Sequence, residues 1–479
     1  MAAMTWMLGP CPTSALAAKV VVVGRDGRAA LKNDTVLPAR AITPAPNVTV
    51  ANKPLATAGR ALDRTVRSVL EQLERTHQIT RRSYSTFSAD LSSALKEVKQ
   101  LSVARGAELH AVIENLHVMA VNGTLTASRL PVLFLTLDRN RQYWRAGPAL
   151  SYGQRVEFAG SELVWEYYPG QGVELQQLGS FGKADWLCTA GASYEARCRK
   201  ILAELIPLAV RRGRALSWEY YFSFDGGMPP WTSAMSQGTA LQALADAYRE
   251  LGDKTYLAVG HQALPLFSMP PPAGVGVRTK LGMRYVQYSF ASDAGMEVIN
   301  AFLQTLVGLY DYAQASADPI ARRLFAQGNT EAQAELPQFD TGAWSLYQPG
   351  LEDDLSYHQL VTGFLQQLCS MTKTPTYCHI AAAFQLDLKT PPALKLVTTH
   401  VSANRAANVY FTVSKMSRVG ITLLHNGKTV FLTSASFPYG RHGFAIPALK
   451  SNGTYAAELD ATDLAGNYNQ ILAPMQVSK

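Results

Sequence analysis

The chain has 479 residues, 47% of them hydrophobic and 17% charged, a balance that excludes a disordered polymer and points to roughly three globular units. A formal charge of +8 favours an anionic partner, but no Lys/Arg-rich run or nucleic-acid motif is present, so nucleic acid is not the expected one. No apolar stretch approaches the roughly 20 residues of a membrane-spanning helix, so no transmembrane segment is expected.

Residues 1–59 read as an irregular lead-in rich in Pro, Ala, Thr and Asn. Its start, Met1 to Lys19, ends in Ala15-Leu-Ala-Ala18 and has the look of a remnant signal without a basic n-region. Residues 60–127 read as helical. Leu62, Val66, Val69, Leu70 and Leu73 share one face, and a second helix is predicted over Phe87 to Val121, stopped by Asn122-Gly123. Residues 128–192 read as a small β-rich segment, with strands at Leu130–Leu137 and Glu162–Tyr168 between Gly and Pro breaks. Residues 193–390 show helical stripes at Leu241, Leu244, Ala245, Tyr248 and Leu251, at Val298, Phe302, Leu306 and Leu309, and at Leu360, Val361, Phe364, Leu365 and Leu368. Successive helices joined by long loops suggest a mainly α domain, an α/α toroid. After the hinge-like Thr390-Pro-Pro392, residues 393–479 alternate with period two. Turns at Asn426-Gly427 and Asn452-Gly453 separate the runs, the pattern of an immunoglobulin-like β-sandwich.

Cys11 stands apart from two close pairs, Cys188 with Cys198 and Cys369 with Cys378. Each pair suits a disulfide closing a short loop in an oxidising compartment, and four buried thiols are the other reading. With the tail modules, this favours an exported or cell-surface protein. None of the cysteines has metal-ligand spacing, and no metal or cofactor is expected.

Between Arg284 and His358 four tyrosines stand beside turn-forming and acidic residues: Tyr285-Val-Gln-Tyr288, Asp340-Thr-Gly342 followed by Tyr347, and Asp354-Leu-Ser-Tyr357-His358. Phenols at loop ends can move a proton at carbon without a metal or cofactor. Trp218, Trp231 and Trp344 are candidates to stack on sugar rings, with core packing as the competing role. His358 could assist Tyr357, or could simply pack. Asp353 and Asp354 could supply a glycosidase carboxylate, but a partner for it is not evident.

The block Pro229-Pro-Trp-Thr-Ser-Ala-Met-Ser-Gln-Gly238 resembles a signature of the D-glucuronyl C5-epimerase C-terminal domain. The resemblance continues through Asn300–Asp311, resumes at Phe339-Asp-Thr-Gly342, and reaches Tyr347 and Tyr357-His358. It covers roughly residues 215–370. It implies inversion at C5 of a hexuronate, D-glucuronate to L-iduronate, within an anionic, heparosan-like polysaccharide. By position it implies Tyr288 and Tyr357 as base and acid on the two faces of the ring, and Tyr347 as the residue that orients the sugar. Gln287, Tyr285, Arg284, His358, Trp231 and Asp340 are the accompanying candidates for substrate binding. A homodimer is compatible with this reading.

Two departures stand out. The family's glutamate before the second tyrosine of the turn is Gln287 here, which cannot take a proton. The family's arginine after the central tyrosine has no counterpart in Gln348-Pro-Gly350, which leaves Arg284, Arg278, Lys280 or His358 as candidates to clamp the sugar carboxylate. A uronate lyase, which shares the first proton abstraction, and a non-catalytic glycan-binding protein are the alternatives.

Overall fold

A computed structural model describes residues 19–37, 55–290 and 297–479. Cys11 and the remnant-signal reading of residues 1–18 lie outside the described residues. The chain divides into two compact units, one of residues 1–295 with 305–328, the other of residues 296–304 with 329–479.

The first unit opens differently from the irregular lead-in expected. Lys19–Val23 is a strand, paired antiparallel with Ala29–Asn33 and parallel with Arg155–Phe158. Val20, Val21 and Val23 are buried, so a β-branched run is given a sheet to pack in. Trp165–Tyr168 and Gly172–Leu175 complete a five-stranded sheet. The helix expected over Phe87–Val121 is two helices, Arg81–Val98 and Val103–Val121. The chain turns between them at residues 99–102, and Gly106 allows the second to approach closely, since a Cβ there would lie 2.8 Å from the Val98 carbonyl oxygen.

The strand expected at Leu130–Leu137 is instead the start of the helix Leu130–Ala146. Pro131 sits in its first turn, where a missing N–H costs nothing. Leu130, Leu133, Phe134, Leu137 and Trp144 are buried at helical spacing. Asn140, also buried on that helix, seals the backbone of the edge strand: its Nδ2 donates to Val173 O at 2.7 Å and its Oδ1 accepts from Val173 N at 2.8 Å.

Helices Gln177–Thr189 and Glu195–Leu205 follow, joined by the Cys188–Cys198 disulfide. Helix Ala234–Leu251 is capped at its start by the Ser233 hydroxyl, which accepts from Ser236 N, and ends at Gly252 in the left-handed conformation. Helix Ile299–Ser316 crosses it closely. A Cβ on Gly308 would lie 1.9 Å from Gly238 O, so position 308 has no room for a side chain.

The second unit holds helices Leu355–Thr372 and Pro375–Asp387, joined by the Cys369–Cys378 disulfide, and the strand-rich tail. In the tail, Leu394–Leu396, Ala407–Val413 and Gly440–Ile446 form one sheet. His400–Ser402, Tyr468–Ser478, Gly453–Asp463, Ser417–His425 and Lys428–Phe437 form another, in that order. Both sheets feed one core that includes Val409, Phe411, Val419, Ile421, Phe444, Leu459 and Met475.

The joint after Thr390 is closely tied. Lys415, buried, pairs with Asp463 at 3.0 Å and donates to Asp387 O at 2.6 Å. Asn467 reaches Leu388 O at 2.9 Å, and Asn469 reaches Pro392 O at 2.8 Å.

Candidate functional site

In the first unit, Tyr288 stands at the edge of an aromatic cluster. Its ring stacks on Phe290 at 5.0 Å and meets Trp231 edge-on at 5.4 Å. Trp231 in turn stacks on Tyr220 at 4.2 Å. Tyr168, Phe222 and Phe290 fill the buried part of the cluster, while Tyr152, Phe224 and Tyr288 are half-buried against it.

The block Pro229–Gly238 holds this arrangement through its backbone. Ser289 N donates to Thr232 O at 2.9 Å, Thr232 N donates to Ser289 Oγ at 3.0 Å, and Ala234 N donates to Val286 O at 3.2 Å. The segment that carries Tyr288 is thus laid along the start of helix Ala234–Leu251. Trp231 is interior rather than a stacking surface. It is 4% exposed and its indole N–H is spent on Phe222 O.

Beside the cluster lies an ionic knot among residues far apart in the chain. Glu219, fully enclosed, accepts from Arg129 Nε at 2.7 Å and from Arg212 Nη1 at 2.6 Å. Arg212 also donates to the Pro230, Pro272 and Ala273 carbonyls, fixing the loops on either side of the aromatic cluster. Arg129 and Glu219 are 90 residues apart. The only sequence signal was that these charges sit within apolar surroundings.

Two of the expected binding residues belong to the interior. Tyr285 is completely buried and its hydroxyl donates to Leu324 O at 2.7 Å. Burial pushes its phenol far above the ordinary range. Arg284 beside it is also buried, whereas Arg278 and Lys280 are exposed. Gln287 is half-buried, and its Oε1 is shielded from solvent without a hydrogen-bond partner among the described residues.

In the second unit the structure brings Tyr347 and Tyr357 together, with ring centroids 5.2 Å apart in an edge-on arrangement. Tyr347 lies on the hairpin Leu346–Gln348 with Leu351–Glu352, and Tyr357 lies in the first turn of Leu355–Thr372. Asp354 caps that helix by accepting from Tyr357 N at 2.9 Å. Asp340 closes an Asx turn on Gly342 N at 2.8 Å. It also lines an open pocket of about 570 Å³ with Pro337, Thr341, Gly342, Thr376, His379 and Ile380.

His358 belongs to the interior. It is 0% exposed, lies under Trp344, and takes the Ser345 N–H on Nδ1 at 2.9 Å while Nε2 donates to Phe384 O at 3.0 Å. Burial lowers its pKa to about 4, so the imidazole is neutral. Ser345 Oγ bridges His358 Nδ1 at 2.9 Å and Asp353 Oδ2 at 2.6 Å. The residue types are those of a nucleophilic triad, but the geometry is not: the carboxyl bonds the serine instead of the imidazole, and all three groups are buried. Burial raises Asp353 to about 8. Ser345 Oγ donates to Asp353 Oδ2, and the Ser345 backbone N–H donates to His358 Nδ1. The trio therefore locks the loop that bears Tyr347. Trp218 and Trp344 are likewise fully buried core residues.

Carboxyls from three helices also meet in the first unit. Burial holds Asp185 well above the ordinary range, with Asp246 adding to the shift, and raises Asp311 to about 7. Glu174, enclosed on the edge strand, is raised in the same way. Among the described residues, no cluster of three or more His, Cys, Asp or Glu is arranged to hold a metal ion. Among the same residues no helix is long and apolar enough to cross a membrane.

The family described as D-glucuronyl C5-epimerase C-terminus matches residues 212–385. The chain is 30% identical over 131 residues to the D-glucuronyl C5-epimerase of Caenorhabditis elegans, covering 25% of this chain and 21% of that protein. It is 27% identical over 135 residues to an uncharacterized protein of Methanocaldococcus jannaschii, covering 27% of this chain and 44% of that one. The chain thus spans less than half the length of either relative. Among solved structures it is similar to a sugar epimerase from a ruminal bacterium, at 15% identity and a TM-score of 0.31, over 45% of this chain and 61% of that one.

Proposed function

We propose that the protein is a cofactor-independent uronate C5-epimerase acting on an anionic polysaccharide. The observation that carries this reading is the family match over residues 212–385, which spans the block Pro229–Gly238 and the tyrosines Tyr288, Tyr347 and Tyr357. The way that block grips the backbone around Tyr288 supports it, because a proton-transfer group must be held in place. Tyr288 as phenolate removes the C5 proton, and the C–H electron pair moves into the sugar carboxylate as an enediolate. Tyr357 donates its phenol proton to C5 from the other face, and Tyr347 orients the ring. Exchange with solvent then resets both phenols. An amide at Gln287 leaves the phenols without a carboxylate partner at that position.

The tail is read as an immunoglobulin-like sandwich. Tyr455, near the start of its strand, donates its hydroxyl to Ser451 O at 3.0 Å, as in the tyrosine corner of such domains. The two disulfides support an exported protein.

Incubation with glucuronate polymers in deuterated water tests the reading. Deuterium at C5 without chain cleavage is expected, and Tyr288→Phe and Tyr357→Phe should each abolish it. Unsaturated, ultraviolet-absorbing ends would mean a lyase. Binding without exchange on every uronate polymer would refute catalysis.

A further inference from the structure

The hairpin that carries Tyr347 ends at Glu352, whose buried carboxylate is used entirely by the tail. Oε1 accepts from Met416 N at 2.7 Å and Oε2 accepts from Tyr439 N at 2.7 Å. Met416 precedes the strand Ser417–His425 and Tyr439 precedes Gly440–Ile446, so one carboxylate spans both tail sheets. On the other side of Tyr347, Trp344 lies under the ammonium of Lys415 at 5.5 Å. Lys415 is itself held by Asp463 and by the Asp387 carbonyl. Hence both flanks of Tyr347 are seated on the tail's turn at 415–416. A separately tethered glycan-binding module would spend no buried charges on a neighbour, because an unpaired charge there is costly.

We infer that the strand-rich tail is a positioning element for the Tyr347–Tyr357 pair, with Glu352 and Lys415 as its positioning residues. The activity part of this inference rests on the epimerase reading; the structural part does not. The test uses the full chain and two variants. Glu352→Gln keeps the shape but turns an amide donor toward one of the two backbone N–H groups. Lys415→Met keeps the length and removes the charge.

Amide hydrogen exchange over residues 344–358 should quicken by about tenfold or more in each variant, while residues 234–251 stay unchanged. On a uronate polymer kcat should fall up to about 100-fold with KM nearly constant, the signature of a misplaced catalytic group rather than lost binding. Unchanged exchange over residues 344–358 in Glu352→Gln would overturn the inference. Loosened exchange with wild-type kcat would overturn it too. If Lys415→Met does not fold, Glu352→Gln alone decides. If the wild-type chain exchanges no C5 proton on any uronate polymer, the epimerase reading falls, and the amide exchange still decides whether the tail holds this loop.

Discussion

Asp353 gives the sharpest test of the loop that bears Tyr347. Burial raises its pKa to about 8, against an ordinary 3.8. Between those values the folded chain holds a proton there that the unfolded chain has released. The stability this proton confers is complete below pH 3.8 and is lost as pH rises toward about 8. One proton per unit of pH corresponds to about 1.4 kcal/mol, so the contribution falls by roughly 3 kcal/mol from pH 5 to pH 7. Asp353→Asn removes the titration and keeps an amide oxygen that can accept from Ser345 Oγ. Urea unfolding of both proteins, followed by tryptophan fluorescence at pH 5, 6, 7 and 8, isolates this group because every other titration is shared. The free-energy difference, variant minus wild type, should rise by about 1.4 kcal/mol per pH unit and flatten above pH 8. A flat difference from pH 5 to pH 8 would mean that Asp353 ionises in the fold as it does in solution, and the neutral Asp353–Ser345–His358 chain would be wrong.

Four further outcomes are expected. Asp311→Asn should stabilise the protein near pH 8 and have little effect near pH 4.5, since burial raises that carboxyl to about 7; equal effects at both pH values in urea titrations would count against it. Glu219→Ala leaves two buried guanidinium groups without their carboxylate and should cost about 3–5 kcal/mol of unfolding free energy, and a loss under about 1 kcal/mol would show that the knot is not buried as described. Gly308→Ala drives a methyl into Gly238 O and should lower stability by about 1–3 kcal/mol; an unchanged urea midpoint would disprove the close helix crossing. Reducing the Cys188–Cys198 and Cys369–Cys378 bonds, with sequence separations of 10 and 9, should lower stability by about 2–3 kcal/mol each, and thiol titration of the unfolded, unreduced protein should find neither pair free.

Signals that depend on local chemistry were legible in the sequence. Asn426-Gly427 marks a turn because both residues take positive φ there, at 51° and 74°. The stripes at residues 241–251 and 360–368 lie on the helices Ala234–Leu251 and Leu355–Thr372. Elsewhere local pattern was ambiguous or was overruled. Leu130–Leu137 is an apolar run too short for its period to separate strand from helix, and Pro131, which looks like a breaker, is a helix starter. The valines at 20–23 adjoin Pro-rich residues, and one of the two partners of their strand, Arg155–Phe158, lies more than 130 residues away. Tyr285 and His358 looked functional because of their neighbours, yet their polar atoms are consumed by the backbone carbonyls of Leu324 and Phe384. Burial of that kind depends on residues distant in the chain and leaves no mark on the motif itself.

The enclosed carboxyls also alter how the protein presents itself to an acidic polymer. The formal charge of +8 treats every Asp and Glu as ionised. Asp353, with its pKa near 8, stays largely neutral at pH 7, and burial pushes Glu174, Asp185 and Asp311 in the same direction. Each retained proton adds one positive unit to the folded chain that the unfolded chain does not carry. Burial thus shifts the folded chain toward positive charge, and under the proposed function its attraction for a polyanion should weaken as alkali or salt is added.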